Sequence, residues 1–314
     1  MDGIESDVKV SVLVCCYNQE RYIGEALTSV VNQKPGCTME VLVGDDRSTD
    51  STPAIVERFA AEHPGLVTVC PRTINLGFIR NYFDLAARAR GEILMVLGGD
   101  DYWLPGKVAA QVEYLDSNPA VGLCFGHARK IDADGNPAGD YTGVTVLTTE
   151  SLLMANPVPA LTIAVRASVF RRYVAEVNPL ARGWMNEDWP LLLWCSLNSA
   201  IGCIPRPLGA YRWHSESLTH SGDPERGIRF RLNDADMALW FIGKYRLKVS
   251  PATLGRICAN ARTAAREQCA WRLISLAHRF PHPGPAGLRQ RLRSLFLRLS
   301  PRRYFAWLAR TGRT

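Results

Sequence analysis

The chain predicts an α/β fold, a mostly parallel central sheet flanked by helices, with a helical extension at its carboxyl end. Three features carry that prediction: apolar runs of strand length, a polar or acidic turn closing each run, and 3.6-residue apolar spacing after each turn. Strand and helix alternate four times before residue 120. A run that is apolar at every position buries both faces, and parallel neighbours need a crossover between them. The series therefore implies a parallel sheet with a crevice along its strand ends, where ligands of such sheets gather.

The first unit runs Val10-Ser11-Val12-Leu13-Val14-Cys15-Cys16 into Tyr17-Asn18, and Ile23, Ala26, Leu27, Val30 and Val31 set a helix between Arg21 and Gln33. The second runs Glu40-Val41-Leu42-Val43-Gly44 into Asp45-Asp46-Arg47-Ser48-Thr49-Asp50, with Ile55, Phe59 and Ala60 on the helix that follows. The third passes from Leu66–Cys70 through Asn75-Leu76-Gly77 to a helix over 79–88 that carries Arg80 and Asn81. The fourth, Ile93-Leu94-Met95-Val96-Leu97, is stopped by Gly98-Gly99, and Asp100-Asp101-Tyr102-Trp103 follow.

Two acidic pairs stand where an element meets a loop. At Asp100-Asp101 the glycines let the backbone turn sharply and let a ligand approach, so both carboxylates are presented at a strand end. Hard divalent cations such as Mg²⁺ or Mn²⁺ take oxygen ligands, and one or two carboxylates suffice when phosphates supply the rest. An Asp pair in a turn also caps helices, so this motif alone decides nothing. The second pair, Glu187-Asp188, precedes Trp189-Pro190-Leu191-Leu192-Leu193-Trp194, a buried helix whose first turn accepts proline. Here Asn186, Glu187 or Asp188 is a cap, or Asp188 is a general base.

Between and beyond the pairs, Val121–Phe125 predicts a strand and 149–155 a short helix. Ile131-Asp132-Ala133-Asp134-Gly135-Asn136 predicts a hairpin turn, since it lacks the closing Glu of a calcium loop. A strand over 208–213 leads into Tyr211-Arg212-Trp213-His214. The guanidinium fork of Arg212 suits two phosphate oxygens; His214 is either a plain loop residue or a ligand to metal or phosphate.

In this order, Cys16-Tyr17-Asn18, Asp45-Asp46-Arg47-Ser48-Thr49-Asp50, Asn75-Leu76-Gly77 with Arg80-Asn81, Gly99-Asp100-Asp101-Tyr102-Trp103, Glu187-Asp188-Trp189-Pro190-Leu191 and Tyr211-Arg212-Trp213-His214 resemble the motifs of family 2 glycosyltransferases. The resemblance covers roughly residues 8–220 and implies an inverting enzyme of the GT-A fold, of the bacterial surface-polysaccharide type. It implies a Rossmann-like domain over 1–222, with a nucleotide-sugar half (1–120) and an acceptor half (121–222), before a helical region over 223–314. Tyr17, Asn18 and Asp46 would hold the base and ribose, and Arg80 would help seat the nucleotide. Asp100 would bind the Mg²⁺ or Mn²⁺ that bridges the donor diphosphate, with Asp101 beside it, Arg212 toward the phosphates, His214 toward metal or phosphate and Asp188 as general base. The implied donor is a UDP-sugar and the implied acceptor a glycan or lipid-linked glycan. The family often has an acidic residue two positions before Asp100, where this chain has Gly98.

The chemistry asks for the same residue types. Sugar transfer needs charge compensation on the departing diphosphate and a carboxylate to take the proton of the attacking hydroxyl, and one base with one displacement inverts the anomeric centre. Tryptophans between 184 and 194 stack on sugar rings or pack in the core. Two rivals remain: a sugar nucleotidyltransferase, which would want a Gly-rich, lysine-bearing phosphate loop that the first strand lacks, and a catalytically impaired sugar-nucleotide-binding relative.

At 314 residues and 47% hydrophobic content, the chain is long enough for one large core plus an appendage. Nine cysteines without a Cys-x-x-Cys favour a reducing compartment, and the acidic start Met1–Asp7 lacks the apolar core of a secretory signal, so the expected location is cytoplasmic. From Trp271 to Thr314 there are ten arginines and no Asp, Glu or Lys. Subtracting that +10 from the formal charge of +7 leaves −3 for the rest, which argues against nucleic acid as a partner. Leu288, Leu292, Leu295, Phe296 and Leu299 fall on one helical stripe, and arginines beside such a stripe suit an anionic membrane surface at the inner face of the cell membrane.

Overall fold

A computed structural model describes residues 8–142, 144–214 and 223–279, and the chain divides into two compact units, Met1–Trp213 and His214–Thr314. The first unit is built on a nine-stranded sheet. Its centre is β1 (Val10–Cys16), buried at every position. β2 (Met39–Asp45) and β4 (Ile93–Gly98) pair with it in parallel on either side, and β3 (Val67–Val69) continues beyond β2. Apolar side chains on both faces need cover on both faces, which the crossovers α1 (Ile23–Val31), α2 (Thr52–Glu62) and α3 (Phe78–Arg88) supply. α1 buries Ile23, Ala26, Leu27 and Val30, the three- and four-residue spacing expected of a core-facing stripe.

After β4 the topology changes. A two-residue strand, β5 (Tyr102–Trp103), and α4 (Lys107–Ser117) lead to β6 (Val121–Ile131) and β7 (Pro137–Tyr141), an antiparallel hairpin. α5 (Thr149–Met154) and a 3-10 turn (Ala160–Thr162) precede β8 (Ala164–Arg166), which inserts antiparallel between β4 and β6. α6 (Ala167–Val177), α7 (Pro179–Arg182) and α8 (Trp189–Asn198) then lead to β9 (Ala200–Arg212). The sheet order is β3-β2-β1-β4-β8-β6-β9-β5, with β7 beside β6. The long registers, β1 with β2 and β4 and β6 with β9, are parallel, and the antiparallel ones are short. β6 runs six residues past the expected Phe125 because its outer half, with His127, Arg129 and Lys130, is a half-exposed hairpin arm rather than an apolar run.

Trp184 and Trp194 are 3% and 0% exposed, so both are core residues. In the second unit, α9 (Pro224–Tyr245) and α10 (Pro251–Arg279) pack on each other, and Ile228, Ala235, Met237, Ala238 and Phe241 of one and Ile257 and Ala264 of the other are buried. An Arg231–Glu267 ion pair joins them. Within the helical region expected over 223–314, α9 and α10 are separated at Arg246, with φ 50°, and by the residues before Pro251. Among the described residues no helix is long and apolar enough to cross a membrane. The arginine-rich tail beyond residue 279 lies outside the described residues.

Candidate active site

Parallel pairing brings three strand ends to one edge. The register sets Cys16 beside Asp45 and Cys15 beside Gly98, so Tyr17-Asn18, Asp45-Asp46 and Asp100 leave the sheet from neighbouring strands. Asn18 adopts φ 50°, and its Oδ1 accepts from the Thr49 amide at 2.8 Å while its own amide donates to Ser48 Oγ at 2.9 Å. Asp46 is 3% exposed and accepts from the amides of Leu76 at 2.7 Å and Gly77 at 2.8 Å. Asn75 returns a bond to the Asp46 carbonyl at 3.0 Å. The Asp46 carboxylate thus shapes the Asn75-Leu76-Gly77 loop, while Tyr17, the residue after β1, is exposed.

Arg80 is exposed on the first turn of α3. A different arginine is built into this wall. Arg72, 6% exposed at its side chain, donates to Asn81 Oδ1 at 2.9 Å and pairs with Asp84 at 2.7 Å, and Asn81 Nδ2 reaches the Gly44 carbonyl at 2.7 Å. Nothing in the local sequence distinguished Arg72, because its partners Asn81 and Asp84 lie on the following helix, 9 and 12 residues away.

Behind β4, the two glycines are fixed by their surroundings. A Cβ on Gly99 would lie 2.4 Å from Gln19 Oε1 and 2.8 Å from Cys16 Cβ; one on Gly98 would lie 2.8 Å from Asp100 Oδ1. The space left by the missing acidic residue at position 98 is therefore faced by the Asp100 carboxylate itself. Asp100 is half-exposed, whereas Asp101 is 7% exposed and accepts from the Arg212 amide at 2.8 Å. Burial, and then the charge of Asp100, push the Asp101 carboxyl well up, and Arg212 opposes them. The Arg212 side chain, 3% exposed, donates from Nε to the Asp100 carbonyl at 2.8 Å, from Nη1 to the carbonyls of Asp132 at 3.2 Å and Ala133 at 3.3 Å, and from Nη2 to Glu25 at 2.5 Å.

Among the described residues there is no group of three or more His, Cys, Asp or Glu that could cage a metal. One half-exposed carboxylate at a glycine-lined strand end instead fits a hard cation that draws most of its ligands from a substrate diphosphate. His214 is half-exposed and is the first residue of the second unit.

Asp188 is the N-cap of α8: Oδ1 accepts from the Trp189 amide at 2.7 Å and Oδ2 from Asn156 Nδ2 at 2.8 Å. Capping and base roles do not exclude each other, since a carboxylate holding two donors keeps lone pairs for a third. Burial, and then the charge of Asp188, push Glu187 up to about 8. Burial also raises Asp188, but its two hydrogen bonds and the helix N-terminus favour its charged form. Asp188 is the group of the pair that ionises more readily. Burial chiefly, and then the charge of Glu187, raise the Cys15 thiol and the Tyr82 hydroxyl. Asn156 escaped sequence reasoning, because it lies 32 residues from Asp188 in a segment without a pattern.

A model of the family described as Glycosyl transferase family 2 matches residues 11–176. An uncharacterized protein of Mycobacterium tuberculosis is 34% identical over 221 residues, which are 69% of this chain and 62% of that protein. Among solved structures, S. aureus TarS 1-349 in complex with UDP-GlcNAc superposes with a TM-score of 0.58 at 18% identity, covering 97% of this chain and 92% of that one. The mannosyltransferase PcManGT of Pyrobaculum calidifontis, in complex with GDP-Man and Mn²⁺, gives 0.52 at 21% identity, covering 96% and 83%. These two likenesses establish the fold as that of GT-A glycosyltransferases.

Proposed function

This chain belongs to glycosyl transferase family 2, and on that premise we propose that it moves a sugar, with inversion, from a nucleoside-diphosphate sugar to a hydroxyl of a glycan or lipid-linked acceptor. One observation supports the reading: the charge of Glu187 acts on the Cys15 thiol, and Cys15 pairs with Gly98, two residues before Asp100. A base and a diphosphate-neutralising centre are what a single displacement needs.

In this reading Tyr17, Asn18 and the Asp46-braced loop receive the base and ribose, and Arg80 lies at the entrance. A nucleotide sugar as donor is supported by the complexes of the two structural neighbours, one with UDP-GlcNAc and one with GDP-Man, and a UDP-sugar is the donor this reading puts first. Asp100 would hold Mg²⁺ or Mn²⁺, which when bound supplies charge compensation for the leaving diphosphate. Asp188 takes the proton of the attacking hydroxyl with its charge prepared by Asn156, the Trp189 amide and the helix end, while Glu187 retains its proton near neutral pH. Removing such a base costs roughly 10²- to 10⁴-fold. The basic, apolar-striped tail supports a lipid-linked acceptor at an anionic inner-membrane surface, in assembly of a surface polysaccharide.

Calorimetry with UDP, GDP, CDP and dTDP sugars, with and without Mn²⁺, tests this. One nucleotide should bind in a metal-dependent manner; Asp100→Ala should abolish that binding, and Asp188→Asn should keep binding but lose transfer. Full transferase activity in both variants would overturn the assignment.

A further inference from the structure

We propose that Arg212 is a positioning residue, a buried clamp that fixes the Asp100-Asp101 loop instead of contacting the donor diphosphate; the proposal rests on the reading of Asp100 given above. The loop enters through Gly98-Gly99, the two residues with the widest backbone freedom, and leaves through β5, whose two residues pair with Ala210 and Gly209 of β9. Between those anchors, a single residue of β9 grips it twice. The Arg212 amide donates to Asp101 Oδ1 and Nε donates to the Asp100 carbonyl, both at 2.8 Å. Those two bonds hold the Asp101 carboxylate in the protein and fix the Asp100 peptide, and with it the direction in which the Asp100 side chain leaves the loop.

The far side of the guanidinium is tied as well. Nη1 donates to the carbonyls of Asp132 and Ala133 in the β6–β7 turn, and Nη2 pairs with Glu25 on α1 at 2.5 Å. The guanidinium carbon also lies 4.7 Å from the Tyr22 ring centroid. All three nitrogens already donate inside the protein, and the side chain is 3% exposed, so a phosphate would have to displace these partners to reach it. Electrostatics point the same way. Two adjacent carboxylates repel each other; Asp101 is buried on the Arg212 amide with the Arg212 charge nearby to favour its ionised form, while Asp100 is half-exposed. A lysine could replace the charge but not the fork, which here reaches three separate segments.

The test compares wild type, Arg212→Lys and Glu25→Gln, full-length, by two readouts. Hydrogen exchange at residues 99–102, measured without ligand, should speed up at least tenfold in Arg212→Lys and less in Glu25→Gln. The Mn²⁺ concentration that half-saturates nucleotide-sugar binding in calorimetry should rise about tenfold in Arg212→Lys, with binding restored at saturating Mn²⁺ and nucleotide binding in EDTA unchanged. Glu25→Gln should shift it in the same direction and add nothing in the Arg212→Lys background. A loss of nucleotide binding in EDTA with unchanged Mn²⁺ half-saturation would show a phosphate contact and overturn the clamp. So would lower melting temperatures with exchange at 99–102 unaltered. Should Arg212→Lys fail to fold, unchanged exchange and Mn²⁺ half-saturation in Glu25→Gln would overturn it. If wild type binds no nucleotide sugar while exchange responds as expected, the donor reading fails and the clamp stands.

Discussion

Lys107, in the first turn of α4, is 0% exposed, and among the described residues no carboxylate pairs with it. Its Nζ donates to Gln111 Oε1 at 2.5 Å, lies 3.7 Å from Met95 Sδ and sits 3.9 Å from the Trp103 ring centroid. Burial pushes its pKa from 10.5 down to about 7. The unfolded chain holds this proton up to pH 10.5, while the folded chain releases it near 7, so between those limits the unfolded state binds more protons and stability rises with pH. At about 1.4 kcal/mol per pH unit, the penalty of charged Lys107 is roughly 4 to 5 kcal/mol at pH 7 and falls by about 2 kcal/mol by pH 9.

Lys107→Met keeps the unbranched stem and removes the charge. Its cost is one lost donor to Gln111 Oε1, about 1–3 kcal/mol, because Gln111 Nε2 keeps its bond to the Thr162 carbonyl at 2.8 Å. The variant should therefore be more stable than wild type by about 1–3 kcal/mol at pH 7, with the advantage shrinking by about 2 kcal/mol at pH 9. Urea denaturation of both proteins at pH 7, 8 and 9 measures this. The difference between the two curves is the observable, since Glu187, raised above its usual range, tilts the total curve the opposite way below pH 8. Parallel curves, or a variant less stable at every pH, would refute the argument that an unpaired charge is buried here.

Glu187→Gln should remove an inflection near pH 8 from the pH–kcat profile and leave the lower, Asp188-dependent limb in place; an inflection that persists at 8 would assign it elsewhere. Gly98→Ala puts a methyl 2.8 Å from Asp100 Oδ1, so the affinity for the metal–nucleotide pair should fall about tenfold, near 1.4 kcal/mol by calorimetry, with the fold intact by circular dichroism. Asp46→Ala strips the acceptor from the Leu76 and Gly77 amides, and at about 1.5–3 kcal/mol for a bond to a charged group it should lower stability by roughly 3 kcal/mol and weaken nucleotide binding. Asp46→Asn, which keeps one acceptor, should lose less on both measures.

The sequence by itself determined the four strand-turn-helix units, because an apolar run, a turn residue and a helical period are written within a dozen neighbouring residues. The tertiary structure set β2 and β4 on either side of β1, so that Asn18, Asp46 and Asp100 share an edge. Only the tertiary structure decided what each side chain binds there. The partners of Arg212, at Glu25, Asp100 and Asp132, are 187, 112 and 80 residues away, and no local pattern records them. The same holds for Asn156 on Asp188 and for Lys107, a charged residue of α4 that the fold encloses. β8 and β5, three and two residues long, owe their strand geometry to neighbours already in the sheet. Periodicity reports which face of an element is apolar; which polar groups meet is settled by how those faces pack, and that choice sets the charge and direction of the residues at the site.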